Sequence, residues 1–433
     1  MANWFTDDLS RRNLLRLGVT SAVLAAVPWP FARQARADAA DPHLIITFLA
    51  DGGWDVTQVF DVHDPTDATD GVDVDIPGDP VSAIRTVGPL TYMSNPTTRP
   101  AVDTFFDNWA SRSAIVNGIG TRSTSHDQSK QLVLTGYVDP TRADFAVIAA
   151  HKNGADLPLP HLLLSGTSFT GPFAGLSGRV GGQLGTALQY TRIPSHTDPV
   201  NQTQPGVSAL GEAQIQRALE YQRLLDEDAQ SAIHGKLANF RDAQQRGERL
   251  ARLAQSLPQN TNNGATLARS IADAFRNGLT TSVTINEVGG FDTHTLNSDQ
   301  NSSYIRLFQF LDAFVGQLAI ERGLAAASLL DETTIVYCSE FGRTPQLNGT
   351  NGKDHHPWTS MLLLGKRVRP GAYGLTDSTQ EGTKINLDTG QPDNGGQILD
   401  VTNMMSGLLV LAGANPNDYL PAGVRPLTAM VNA

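Results

Sequence analysis

Residues 42–50, Pro-His-Leu-Ile-Ile-Thr-Phe-Leu-Ala, are apolar almost without a break and include β-branched members. That is the pattern of a strand buried on both faces of a parallel sheet. The run stops at Asp51-Gly52-Gly53-Trp54-Asp55. Residues 113–117, 160–165, 280–286 and 333–338 repeat the type, a short apolar stretch followed by a loop containing Gly or Ser. Between them, residues 101–111, 126–134, 265–277 and 303–328 read as helices. Strands alternating with helices predict an α/β fold, with a mostly parallel central sheet flanked by helices.

Residues 207–256 break the alternation. Leu210, Ile215, Ala218, Leu219, Leu224 and Leu225 recur at helical spacing among Glu, Gln and Arg, and Arg249, Leu250 and Leu253 continue the pattern. No heptad persists, so a helical insertion into one α/β domain (residues 38–433) is expected, not a coiled coil. Residues 62–98 and 345–396 are rich in Asp, Gly, Pro, Thr and Asn. They read as long surface loops near a site.

The N-terminus follows a different logic. Ser10-Arg11-Arg12-Asn13-Leu14-Leu15-Arg16 precedes a mostly apolar run from Leu17 to Val27, and Ala35-Arg36-Ala37 is a small-x-small cleavage site. Positive region, short apolar core and cleavage site make residues 1–37 a secretory signal, and the paired arginines resemble the twin-arginine signal of bacteria. The apolar run is too short to span a bilayer, which takes about 20 residues. The expectation is export by the twin-arginine machinery to the periplasm or beyond, with no stable membrane anchor after cleavage.

Composition narrows the function. With 32 Lys and Arg against 43 Asp and Glu, the net charge is −11. A nucleic-acid binder needs a basic stripe for phosphates, so that class is disfavoured. The single cysteine, Cys338, excludes an internal disulfide framework and any CxxC site. It lies at a strand end among apolar residues and reads as a small core residue.

Ligands of open α/β sheets sit at the carboxyl ends of the strands. Asp51 and Asp55 follow the first strand, and Ser123-Thr124-Ser125-His126-Asp127 lies in the loop after the second. The 280–286 strand leads to Gly289-Gly290-Phe291-Asp292-Thr293-His294, and the 333–338 strand to Ser339-Glu340-Phe341-Gly342-Arg343-Thr344-Pro345. A further loop carries Lys353-Asp354-His355-His356. Carboxylates and imidazoles converging on one edge repel unless a cation lies between them. Such a mixture suits Zn, Mn or Fe, and Ca if the histidines stand aside. Gly52-Gly53-Trp54-Asp55 and Gly289-Gly290-Phe291-Asp292 echo one another, and paired glycines allow the backbone to approach a metal or ligand closely. There is no HExxH and no Gly-x-Ser-x-Gly elbow, and Gly118-Ile119-Gly120 lacks the third glycine of a dinucleotide site. A Ser339, Asp354, His355 triad is disfavoured because Tyr337 stands where the elbow needs glycine.

These motifs, in this order over about residues 42–420, resemble the alkaline phosphatase and sulfatase superfamily. More narrowly, they are similar to a branch of twin-arginine-exported bacterial proteins without an assigned activity. The resemblance implies that Asp51, Asp292, His294, Glu340 and His355 (preferred to His356) hold one or two divalent metal ions. Phe341 stands where the superfamily pattern has a ligand histidine. Counting back from Leu134-Thr135-Gly136, the nucleophile slot falls on His126, with Ser129 and Lys130 where Ser and Arg are usual. A neutral imidazole suits a helix N-terminus, whose positive dipole end disfavours added positive charge. His126 is therefore the candidate catalytic residue, as nucleophile, general base or ligand, with Ser123, Thr124 and Ser125 as other hydroxyls nearby. Arg343 is the candidate contact to an anionic substrate. The implied function is an exported, metal-dependent hydrolase of phosphate or sulfate esters, on a small-molecule or polymer substrate. The alternative is a non-catalytic, metal-stabilised binding or assembly protein.

Overall fold

The computed structural model describes residues 42–67, 69–180, 262–286 and 289–432. The export signal and the helical insertion at 207–256 lie outside the described residues.

The strands are β1 (Leu44–Ala50), the hairpin β2 (Ala83–Val87) and β3 (Leu90–Ser94), β4 (Ser113–Gly120), β5 (His161–Leu163) and β6 (Ser177–Arg179). They continue with β7 (Ser282–Asn286), β8 (Thr333–Ser339), β9 (Gly342–Arg343), β10 (His355–His356), β11 (Trp358–Gly365) and β12 (Gly371–Tyr373). Eight of them form one sheet in the order β12-β4-β11-β8-β1-β7-β5-β6. Every neighbouring pair is parallel except the two made by β11, which runs against both β4 and β8. The mostly parallel sheet is as expected, and the order brings the carboxyl ends of β1, β4, β7 and β8 to one edge.

Helices cover both faces: α1 (Pro100–Trp109), α2 (His126–Thr135), α3 (Phe145–Gly154), α4 (Gly264–Arg276), α5 (Asp299–Ile320) and α6 (Val401–Leu411). Alternation along the strands divides the core in two. Leu44, Ile46 and Phe48 of β1, with Ile335 and Tyr337 of β8, pack against α1, α4 and α5. Ile45 and Leu49, with Val336 and Cys338, pack against α2, α3 and α6. Both faces of the central strands are therefore apolar, which explains why they read as unbroken runs.

One expectation is overturned. Residues 345–396 are not only surface loops, because β11 lies within them at the centre of the sheet. Its Met361-Leu362-Leu363-Leu364 stretch is fully buried, with Leu362 and Leu364 on one face and Met361 and Leu363 on the other. Polar loops on either side of this short run mask its strand character. Residues 62–98 likewise contain the β2–β3 hairpin.

Candidate metal centre

Six side chains named from the sequence meet at the carboxyl edge of the sheet. Asp51 directly follows β1 and Glu340 directly follows β8, while Asp292 and His294 lie in the loop after β7. His126 is the first residue of α2, and His355 belongs to the short β9–β10 ribbon.

Around Asp292 the geometry is convergent. Its Oδ1 lies 3.2 Å from Nε2 of His294 and 3.2 Å from Nε2 of His355, and its Oδ2 lies 3.6 Å from Nε2 of His126. The two imidazole nitrogens of His294 and His355 are 3.1 Å apart. The opposite nitrogen of each ring is anchored. Nδ1 of His126 is 2.8 Å from Oε1 of Glu340, Nδ1 of His294 is 2.8 Å from Oδ1 of Asp354, and Nδ1 of His355 is 2.8 Å from the Thr124 carbonyl oxygen. A carbonyl oxygen only accepts, and so does a carboxylate, so each Nδ1 is the donor. In the neutral tautomer each Nε2 is then a bare lone pair, and three such lone pairs face one carboxylate. Filling the space with protons instead places like-charged imidazolium rings in contact. Three imidazoles and a carboxylate, each ring oriented by an outer acceptor, form a donor set of the kind that binds divalent transition metals.

Asp292 is itself held from behind. Burial pushes its carboxyl up, but the hydrogen bond and charge of the Arg343 guanidinium, with the neighbouring imidazoles, outweigh this and hold it at about 2. It stays a carboxylate across the physiological range. This also corrects the expectation for Arg343. That side chain is fully buried; Nε donates to the Gly53 carbonyl at 2.8 Å and Nη1 to the Lys353 carbonyl at 3.0 Å. Its Nη2 reaches the Gly52 carbonyl and Asp292. With its N–H groups so engaged and no exposure, Arg343 positions Asp292 and ties loops together; it does not face a substrate.

Asp51 and Glu340 form a second group on the far side of His126. Glu340 is fully buried; Oε1 accepts from the Gly52 N–H at 2.9 Å, and Oε2 lies 2.9 Å from the Ser339 hydroxyl. Asp51 Oδ1 is 2.5 Å from Nζ of Lys130. His126 stands between two groups, one with Asp292 and His355 and one with Asp51 and Glu340, and His294 joins the first through Asp292 and His355.

The paired glycines serve protein packing. Gly52 has φ +117° and a Cβ there would lie 2.6 Å from the Asp292 nitrogen; Gly53 has φ +80° and a Cβ there would lie 2.2 Å from the Phe341 ring. The close approach is to the neighbouring loops. Ser339 and Cys338 are fully buried, and burial pushes the Cys338 thiol up to about 12, so neither is a nucleophile. His356 makes no hydrogen bond to the cluster.

Sequence reasoning named Lys130, Asp354, Asp55 and Lys353 without assigning the contacts they make. Lys130 lies four residues after His126 on the same helix face, a spacing that signals proximity. Asp354 precedes His355 but orients His294. Asp55 and Lys353 form a fully buried ion pair of 2.9 Å linking the loop after β1 to the loop before β10.

Several solved structures are similar at a low level. A protein in the alkaline phosphatase superfamily from Vibrio parahaemolyticus is 11% identical at a TM-score of 0.35, over 94% of this chain and 76% of that chain. A protein in complex with its substrate D-glucosamine-2-N,6-O-disulfate is 10% identical at 0.35, over 90% and 79%. The lipoteichoic acid synthase LtaP from Listeria monocytogenes is 9% identical at 0.35, over 97% and 80%. Likeness at this level does not establish shared chemistry, and the site stands on its own geometry. No curated protein matches the sequence. The model of a family described as a protein of unknown function, DUF1501, matches residues 42–388, and the chain belongs to that family.

Proposed function

We propose that the protein is a metal-dependent hydrolase of phosphate or sulfate esters, with one divalent ion held by His126, Asp292, His294 and His355. The observation that supports this is the convergence of three Nε2 atoms on Asp292 while each Nδ1 is anchored. Three imidazoles favour Zn, Mn or Fe over Ca, which prefers six to eight oxygen ligands. When bound, such an ion supplies Lewis acidity toward an ester oxygen and acidifies water.

The chain's own residues do the rest. His126 has one ring nitrogen on Glu340 and the other toward Asp292, so it acts as a ligand and not as a nucleophile. Arg343 and Glu340 orient Asp292 and His126 from buried positions. The side chains of Asp292 and His294 are each 48% exposed, as a reacting centre requires and a closed structural site does not. A hollow of about 560 Å³ beside α2, lined by Asp127, Lys130, Gln131, Val138, Thr167 and Phe169 among others, lies next to Lys130 but includes none of the proposed ligands. The N-terminal pattern adds export by the twin-arginine route to this proposal.

A second reading, a non-catalytic protein stabilised by its metal, is favoured by the anchoring of His126 Nδ1 on the buried Glu340, which fixes the ring as a ligand. Elemental mass spectrometry and assays on aryl phosphates and aryl sulfates with added Zn, Mn or Fe separate the two. The expected result is one equivalent of metal and turnover that falls at least about 100-fold in a folded His294→Ala variant, the upper end of outer-ligand effects. Bound metal with no turnover on any ester favours the second reading. A metal-free protein that gains no thermal stability from these ions overturns the site.

A further inference from the structure

We infer that the Lys130 ammonium group takes the place of a second cation and limits the centre to one metal ion; this rests on the metal-dependent reading above. Two groups of potential ligands among the described residues include His126, whereas Asp292, His294 and His355 also meet within 3.2 Å of one another without it. One imidazole can serve two ions only by losing both ring protons. Its Nδ1, however, is a donor to Glu340 at 2.8 Å. The second group is already closed without a metal. Glu340 accepts from the Gly52 N–H and from His126 on one oxygen, with the Ser339 hydroxyl beside the other. Asp51 has Lys130 Nζ at 2.5 Å, and the lysine side chain is only 17% exposed.

Next to Glu340 stands Phe341, fully buried, with its ring centroid 4.9 Å from that of His126 and 4.2 Å from that of His355. The Phe341 side of these two imidazoles is therefore hydrocarbon. Gly53 makes room for this ring, since a Cβ there would meet it at 2.2 Å. Lys130 reaches Asp51 because it follows His126 by four residues on α2, so the helix that supplies the shared ligand also supplies the fixed positive charge. Two carboxylates and one ammonium suffice for each other; a divalent ion added to them has to displace the lysine.

The test is metal stoichiometry in the mature protein equilibrated with excess Mn²⁺, by elemental mass spectrometry after rapid desalting, with circular dichroism as the folding control. Wild type should hold one equivalent, and Asp51→Asn should also hold one, because Asp51 is not a ligand of the resident ion. Lys130→Ala and the gentler Lys130→Gln should approach two. The added equivalent should vanish in Lys130→Ala/Asp51→Asn. Two equivalents in wild type, or one in both Lys130 variants, overturns the inference while leaving the metal centre intact. No metal in any of the proteins overturns the metal reading and the inference with it.

Discussion

Asp55 and Lys353 are each fully buried and meet at 2.9 Å, with Asn297 Nδ2 donating to the same Asp55 oxygen at 2.6 Å and the Thr57 hydroxyl to the other at 2.6 Å. Tyr304 donates to the Asp55 carbonyl and Gln300 accepts from its N–H, so one aspartate joins the loop after β1 to α5 and to the loop before β10. Removing one partner of a buried pair strands the other charge, which costs about 3–5 kcal/mol. Lys353→Met should lower stability by that order in urea unfolding. It should also weaken metal binding, because His355 lies two residues further on. A double Asp55→Asn/Lys353→Met variant should recover part of the stability, since no net charge is then buried. A single variant as stable as wild type would show that the pair is not the tie it resembles.

At the scale of elements, the loops before the β2–β3 hairpin are pinned by a buried histidine. Nδ1 of His63 is 3.0 Å from Asp70, and Nε2 is 3.4 Å from Asp61 and 3.1 Å from the Thr376 hydroxyl. Burial alone pushes the imidazole down, but hydrogen bonds and charge from Asp61 and Asp70 prevail, and its pKa is raised above 6.5. A group whose pKa rises on folding contributes stability that is complete below its unfolded value and fades as pH climbs through the folded one. Urea unfolding of wild type against His63→Gln should therefore show the largest difference below pH 6.5 and a shrinking one toward alkaline pH. A difference that grows with pH would contradict the pairing. The β9–β10 ribbon is a smaller device: pairing His355 with Arg343 sets a ligand beside the residue that holds Asp292.

For the whole molecule, the proposed centre would act as a cross-link. Its proposed ligands come from the start of α2, the loop after β7 and the β9–β10 ribbon, so a bound ion joins segments far apart in the chain. An ion that binds only the folded state at 100 times its dissociation constant adds about 2.7 kcal/mol. Chelation should then lower the melting temperature by roughly 5 °C, reversed by the same ion but not by Mg²⁺. An unchanged melting curve would argue that the three histidines hold no metal. No helix among the described residues is long and apolar enough to cross a membrane.

Much of this was legible in the chain itself. Strands buried on both faces appear as unbroken apolar runs, so β1, β4, β7 and β8 and the parallel sheet could be read locally, and the loops at their carboxyl ends pointed to Asp51, Asp292, His294, Glu340, His126 and His355. The antiparallel β11 was hidden because a short buried run between polar loops carries no distinct period. What only the tertiary structure decided is which residues face which. In sequence Arg343 is a candidate substrate contact and Glu340 a candidate ligand in loops, yet the fold buries both completely. His126 reads as nucleophile, general base or ligand, and only the fold sets its two ring nitrogens toward Glu340 and Asp292, residues 214 and 166 positions away. Hydrophobic pattern is a local property of the chain. Proton ownership, charge pairing and ligand sets depend on contacts between distant segments, and these exist only once the sheet has ordered its loops.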